Sequence, residues 1–507
     1  MSGSLIALVP LGRGGILVTD ARQSALDRFV TRLMRRHRIP GLSLGIAKGG
    51  RAVVSRGYGF RDRERGLPAT PATVYGIASM TKSFTALAVL QLEDKGRLRV
   101  TDPVVRHLPE FRTPDPRWTR KITLHHFLTH TSGLPPLPSI YYAAGRSLAH
   151  DPPYDPRVAR RVGIDPDHRP LDTYSQVMEY LGTARYRLLG PPGRLFGYSN
   201  EAFGLLGAVI ERASGRTYES YVEEEILRPA GMSHSTFDTG IMFRFPEVTT
   251  LYSPRRTGRR PRLVPSEDWW EDTSLRACGA LRTNIEDLFA YLEIYRTGGR
   301  VGRERLVSPG SLRKMLRPAI PIVPGVFYGY GIAVRPDYHG TLLAFHDGGL
   351  KGVSSEFVVL PEKGIGGAVL ANVEQAPSPT ILQAGINGLL GLPLRTPIFD
   401  RPPRSAPPGT LREYEGWYAS GEGIWAQFRA ARGYLRLDFR GIELTSRGLK
   451  LLPMGDDRFV LQGHRTSGIR FVRDPRGRIW AVFLGWRLVR RRTLKELAGA
   501  ARGAVTW

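Results

Sequence analysis

The sequence predicts a mixed α/β (α+β) domain over residues 22–391, joined to a small antiparallel β-barrel at 410–507. Three observations carry that expectation. Helical periodicities and short strand runs alternate in the first part. A proline-rich stretch, "LPLRTPIFDRPPRSAPPG" (392–409), reads as a linker. Beyond it the runs "IWAQFRAA", "YLRLDF", "GIELTS", "LKLLP", "RFVLQ", "GIRFVRD" and "RIWAVFLGW" are all strand-like and are separated by Gly, Asp or Pro.

Residues 1–21 read as an extension. Their apolar run lacks a preceding basic residue and makes a poor signal peptide. No window approaches the roughly eighteen apolar residues of a membrane span, so a cytoplasmic location is the default expectation. Residues 20–37 place Leu26, Phe29, Val30, Leu33 and Met34 on one helical face. "GLSLGIAKGGRAVVSRGYG" reads as two strands joined at Gly49-Gly50. "GLSLG" matches G-x-S-x-G, but a nucleophile elbow needs a helix after the serine. A second strand follows here, so Ser43 is expected to be a strand residue.

"SMTKSFTALAVLQLEDKG" (79–96) is apolar almost all round, the mark of a buried helix, with Gly96 placed to end it. Ser79 stands at its start and Lys82 one turn on. The segment 136–175, rich in Pro, Tyr and Arg, shows no period and reads as a long loop, a candidate lid. Helices are expected at "YSQVMEYLGTA", at "EAFGLLGAVIERASG" and at "EDLFAYLEIYRTGG". Strands are expected at "LLAFHDGG", "SSEFVVLP" and "GGAVLAN".

Length alone, at 507 residues, argues for more than one domain. The net charge of +27 is extreme, yet Arg is spread along the chain. The basic clusters "RRTGRRPR" (255–262) and "RLVRRR" (487–492) carry no aromatic-interleaved nucleic-acid motif, so no nucleic-acid partner is expected. The single cysteine, Cys278, excludes an intrachain disulfide and reads as a small buried residue. His125, His126 and His130 lack the spacing of a zinc site, and no Gly-rich phosphate loop opens a helix. No metal or cofactor is expected.

A serine hydroxyl is a poor nucleophile without a positioned base. A lysine serves when burial and neighbouring cations lower its pKa. Ser79 and Lys82 have S-x-x-K spacing; "YSN" supplies Tyr198 and Asn200 in Y-x-N; "HDGG" supplies His346, Asp347, Gly348 and Gly349. The order S-x-x-K, Y-x-N, H-x-G resembles the three-motif signature of serine β-lactamases and penicillin-binding proteins. "HTSGLP" (130–135), "GPPGRLFGYSN" (190–200), "LRPAGMSHSTF" (227–237) and "CGALRTNIEDLFAY" (278–291) extend the resemblance over roughly residues 22–390. Its style is nearest the class C, D-aminopeptidase and esterase branches.

The resemblance implies a β-lactamase/DD-peptidase-like fold: an antiparallel sheet, flanking helices and a helical subdomain, with the site between them. It implies that Ser79 is acylated and that Lys82 and Tyr198 move its proton. Asn200 would bond Lys82 and substrate. The backbone N–H groups of Ser79 and Gly349 would form an oxyanion hole. His130 would be architectural. His346 stands where a lysine is usual and is expected to be only partly charged at neutral pH. Asp347 would attract a substrate ammonium or pair with a neighbouring arginine.

The expected activity is that of a serine hydrolase on small amides or short peptides, D-stereospecific or cell-wall-type. Carboxylesterase or weak β-lactamase action is the alternative on the same site. The alternative of another class is a catalytically idle binding protein with a basic surface. The C-terminal barrel is expected to cap the cleft, restrict substrate size or mediate homo-oligomers.

Overall fold

The computed structural model describes residues 20–149, 155–257, 260–266, 268–397, 408–441, 445–462 and 468–500. Residues 1–19, most of the linker (398–407) and residues 501–507 lie outside the described residues.

Nine strands form one antiparallel sheet in the order Ile320–Val323, Val326–Tyr328, Ala333–Arg335, Leu343–Leu350, Val353–Leu360, Ile365–Ala371, Gly41–Lys48, Arg51–Asp62, Leu67–Pro68. The N-terminal hairpin therefore pairs with the last strand of the segment before the linker, with Leu44 opposite Val369. Gly49 and Gly50 take positive φ (60° and 78°) at its turn, the conformation a two-residue hairpin requires. Ser43 is fully buried in its strand, and its hydroxyl donates to Thr70 O at 2.6 Å.

Two apolar layers cover the sheet. On one face Leu26, Val30 and Met34 of the helix Asp20–His37 meet Ile381, Leu382 and Ile386 of the helix Ser378–Leu389. On the other lie the helices Ile285–Thr297, Thr81–Asp94 and Asn200–Ser214 in the largest core. The segment 136–175 differs from the expected loop. It forms short helices at Ser139–Ala143, Gly145–Ala149 and Pro156–Arg161, tied down by buried Tyr142, Ala159, Val162 and Ile164. Short helices with irregular links carry no sustained period, which is why the sequence hid them.

Eight strands close the C-terminal barrel in sequence order: Gly416–Ala419, Trp425–Ala431, Tyr434–Arg440, Thr445–Gly455, Arg458–Leu461, Gly468–Arg473, Ile479–Leu484 and Arg487–Arg492. "GIELTS" and "LKLLP" were expected as two strands, but Thr445 and Ser446 of the first belong to the same long strand as the second. "RLVRRR", expected as a basic cluster, is the closing strand. Leu488 and Val489 are buried in it, and burial pulls the Arg490 guanidinium down to about 10. The cluster at 255–262 falls on the hairpin Leu251–Thr257/Arg260–Ser266, with residues 258 and 259 outside the described set. Among the described residues no helix is long and apolar enough to cross a membrane.

Candidate active site

Ser79 sits in a 3-10 turn, Ala78–Met80, that runs directly into the buried helix Thr81–Asp94. Ala78 holds φ at 44°, a left-handed conformation that costs a non-glycine residue roughly 1 kcal/mol or more. Two hydrogen bonds fix it: Ile77 N–H donates to Leu281 O at 3.0 Å, and Ser355 Oγ donates to Ile77 O at 2.8 Å. Between Thr73 and Leu92, Ser79 alone is not fully buried. Gly348 lets the neighbouring strand come this close, since a Cβ there would lie 2.3 Å from both Ile77 O and Ser355 Oγ. Gly349 is exposed, and a Cβ on it would meet nothing within 4 Å, which leaves room beside Ser79 for a substrate backbone.

Lys82 is fully buried and has a hydrogen-bond acceptor for each of its three protons. Its Nζ donates to Ser79 Oγ at 3.0 Å, to Asn200 Oδ1 at 3.0 Å and to Cys278 O at 2.7 Å. These partners are a hydroxyl, an amide and a carbonyl, not a carboxylate. Such a set orients an amine without stabilising its charge through an ion pair. The Tyr198 ring centroid lies 4.8 Å from Nζ. The Cys278 thiol is buried and pushed up to about 12, so this residue offers the site its carbonyl rather than a thiolate.

Tyr198, Ser199 and Asn200 form the entry to the helix Asn200–Ser214, with Ser199 capping it through Ala202 N–H. His130 holds this entry from behind. Its Nδ1 accepts from Ser199 N–H at 3.1 Å, which puts the ring proton on Nε2, and its ring lies 4.1 Å from that of Tyr198. Burial and the nearby Lys82 drive His130 well below its usual range, so it is neutral. His125 bonds the Tyr330 hydroxyl and His126 accepts from Thr123 N–H, so the three histidines face separate partners.

Glu201 is fully buried and bonds the Ser139 hydroxyl and Ser199 Oγ, the latter at 2.6 Å. Burial first, and then the Glu422 charge, push its carboxyl from 4.5 up to about 7. A raised carboxylate pKa means the folded state holds its proton more tightly than the unfolded one. The stability this lends is present at low pH and is lost as pH rises from 4.5 through 7. Glu201→Gln is therefore expected to gain on the wild type across that window, reaching roughly 3 kcal/mol at pH 8 (~2.5 units at ~1.4 kcal/mol each). Urea unfolding of both proteins at pH 5 and pH 8 checks this; an equal difference at the two pH values would contradict it.

The barrel supplies the part of the site that the sequence did not reveal. Glu422, on the loop after the first barrel strand, is buried, and its Oε1 accepts from Asn200 Nδ2 at 3.3 Å. Its other oxygen pairs with Arg487 Nε. The Arg487 guanidinium lies 4.3 Å over the Tyr198 ring, a cation–π contact. Trp486, in the last barrel turn, stacks on His346 at 5.1 Å and 18°. A chain of contacts thus runs Ser79, Lys82, Asn200, Glu422, Arg487, Tyr198, crossing from one module to the other and back. The only signal in the sequence was an acid between two glycines ("GEG") and a tryptophan in a Gly-Trp turn.

His346 departs from the expected partial charge. It is fully buried, bonded through Nε2 to the Tyr328 hydroxyl at 3.0 Å and through Nδ1 to Asp347 O at 2.6 Å. Burial, reinforced by Lys82, lowers it to about 3, so the third motif presents a neutral ring. The Asp347 side chain is 43% exposed; partial burial raises its carboxyl, while Arg487 and the Trp486 indole counteract this.

This fold and this arrangement of motifs place the protein in a known class. The family model described as Beta-lactamase matches residues 26–386, and the chain belongs to that family. Among curated relatives, Esterase EstB of Burkholderia gladioli is 29% identical over 402 residues, covering 74% of this chain and 95% of EstB. Protein flp of Staphylococcus aureus (strain NCTC 8325 / PS 47) is 26% identical over 372 residues, covering 72% of this chain. The chain spans 66% of that relative's length. Among solved structures, the octameric penicillin-binding protein homologue from Pyrococcus abyssi matches with TM-score 0.63 and 29% identity, covering 92% of this chain and 100% of its own. The structure of SurE shares the fold at TM-score 0.65 and 24% identity, over 94% and 100%.

Proposed function

We propose that this protein is a serine hydrolase that forms an acyl-enzyme on Ser79, with small amides or short peptides as substrates and D-stereospecific peptides as the first choice. The observation that carries the reading is the contact of Lys82 Nζ with Ser79 Oγ at 3.0 Å, at the one accessible residue of a buried segment. Ser79 Oγ attacks the carbonyl carbon, and Lys82, with Tyr198, takes the hydroxyl proton. The Ser79 and Gly349 N–H groups receive the developing oxyanion. One such donor is worth about 3 kcal/mol in the transition state. Collapse breaks the C–N bond, the proton passes to the leaving amine, and water then hydrolyses the ester on Ser79. Asn200 fixes Lys82 and faces the substrate.

The neutral His346 argues against β-lactamase action that depends on a cation in the third motif. Ester hydrolysis is the second reading, favoured by the likeness to EstB over 95% of that esterase's length. The intact set of Ser79, Lys82 and Tyr198 argues against an idle binding protein, which would be free to lose Lys82 or Tyr198. On this reading 22–391 is the hydrolase unit and 410–507 the capping barrel. Self-assembly through the barrel accords with the octameric state named for the P. abyssi relative.

Intact mass after exposure to a small fluorophosphonate tests the proposal. One adduct is expected on the native chain and none on Ser79→Ala. No adduct on the native chain, or an adduct that survives the substitution, overturns it.

A further inference from the structure

The barrel forms a half-open pocket of about 270 Å³ whose described lining includes Ile424, Phe439, Leu449, Leu461, Leu484 and Gly485. Among the described residues no lining side chain is polar. Five of them (Ile424, Phe439, Leu449, Leu461 and Leu484) remain only half-buried, although each packs against the barrel core. Apolar side chains left open around a concave wall are the usual lining of a ligand pocket rather than of a solvated surface. An eight-stranded barrel is wide enough to hold one small ligand.

The position of the cavity gives it a meaning. In an up-and-down barrel the loops after the first, third, fifth and seventh strands share one end. The first of these loops carries Glu422, which bonds Asn200, and two residues later Ile424, which lines the cavity. The last carries Leu484 and Gly485 in the cavity wall, followed at once by Trp486 on His346 and Arg487 on Tyr198. Two or three residues of chain reach at most about 7–11 Å. The cavity therefore opens at the end of the barrel that enters the site, one loop's thickness from it.

Resting on the hydrolase reading above, we propose that the mouth of the barrel binds an apolar chain of the substrate. Selection would then favour acyl or side-chain groups extended by an aliphatic or aromatic tail. An apolar cavity of about 150 Å³ holds a benzene ring, so this one has room for a group on the order of ten carbons. The described lining side chains offer no hydrogen bond, so they favour apolar over polar extensions, and selectivity should grow with each methylene buried. The substrate's own tail is the occupant argued for, not a free lipid, because both loops that line the cavity also touch the motifs around Ser79.

Two measurements test this, one independent of turnover. First, kcat/KM for p-nitrophenyl esters from acetate to dodecanoate should rise about threefold to fourfold per added methylene until the cavity is filled. Leu449→Glu and Leu461→Glu should flatten that slope. Second, decanoate should bind the Ser79→Ala protein, seen by titration calorimetry, and binding should be lost in Ser79→Ala/Leu449→Glu. Circular dichroism and thermal unfolding establish that each variant is folded, and Leu449→Trp, which fills the cavity without adding charge, serves where Glu prevents folding. Decanoate binding without a chain-length slope would overturn the substrate assignment, and no binding would overturn the pocket. If the native chain takes no fluorophosphonate but decanoate binds and is lost in the double variant, the pocket stands and the hydrolase reading fails.

Discussion

Lys82→Met is expected to slow acylation of Ser79 by about four to six orders of magnitude, the loss that follows when the base of an activated serine is removed. The change keeps the side chain's length and apolar stem, so the helix Thr81–Asp94 should still pack. It does strand Asn200 Oδ1 and Cys278 O, which accept from Lys82. An unsatisfied buried acceptor costs about 1–3 kcal/mol, so a fall in Tm of several degrees is expected too. Lys82→Arg should not restore acylation, because a guanidinium stays protonated and cannot accept the serine proton. The rate of fluorophosphonate labelling reads the chemistry, and thermal unfolding reads the packing. Labelling within tenfold of wild type in Lys82→Met would show that some other group is the base.

Arg487→Ala should be the most damaging single change in the barrel. It removes the cation paired with Glu422, whose side chain is only 6% exposed, and leaves that carboxylate beside buried Glu201. Breaking a buried pair from one side costs about 3–5 kcal/mol, whereas replacing both members is often close to neutral. Glu422→Gln/Arg487→Met is therefore expected to recover most of the stability that Arg487→Ala loses. Activity separates the two roles further. The double variant keeps an acceptor for Asn200 but no cation over Tyr198. If stability returns and activity does not, the guanidinium acts on Tyr198. Chemical denaturation with parallel labelling rates decides this; equal loss in the single and double variants would show that the pair is not coupled.

Much of the arrangement of the candidate site was legible in the sequence. Ser79, in the 3-10 turn, and Lys82, in the helix it runs into, are three apart, so local geometry brings them together wherever that helix packs. Tyr198 and Asn200 flank a capping serine, and the helix entry dictates their positions. Ser43 was separable because a strand–turn–strand pattern leaves no elbow. The short helices of 136–175 were not legible. Neither was the closing strand Arg487–Arg492, whose arginines masked the strand's apolar side chains.

The sequence by itself determined the elements that carry the three motifs, because helix and strand periodicity, glycine turns and caps act within a few residues. Only the tertiary structure decided the electrostatics and the outer wall of the site. His346 is neutral because burial outweighs an exposed imidazole's tendency to take a proton near pH 6.5. Glu422, Trp486 and Arg487 reach Asn200, His346 and Tyr198 because the barrel docks through an apolar cluster joining Phe196, Tyr198 and Tyr328 to Ala481, Phe483 and Leu488. Those contacts span more than 130 residues of chain, and burial between such distant segments leaves no period in the sequence.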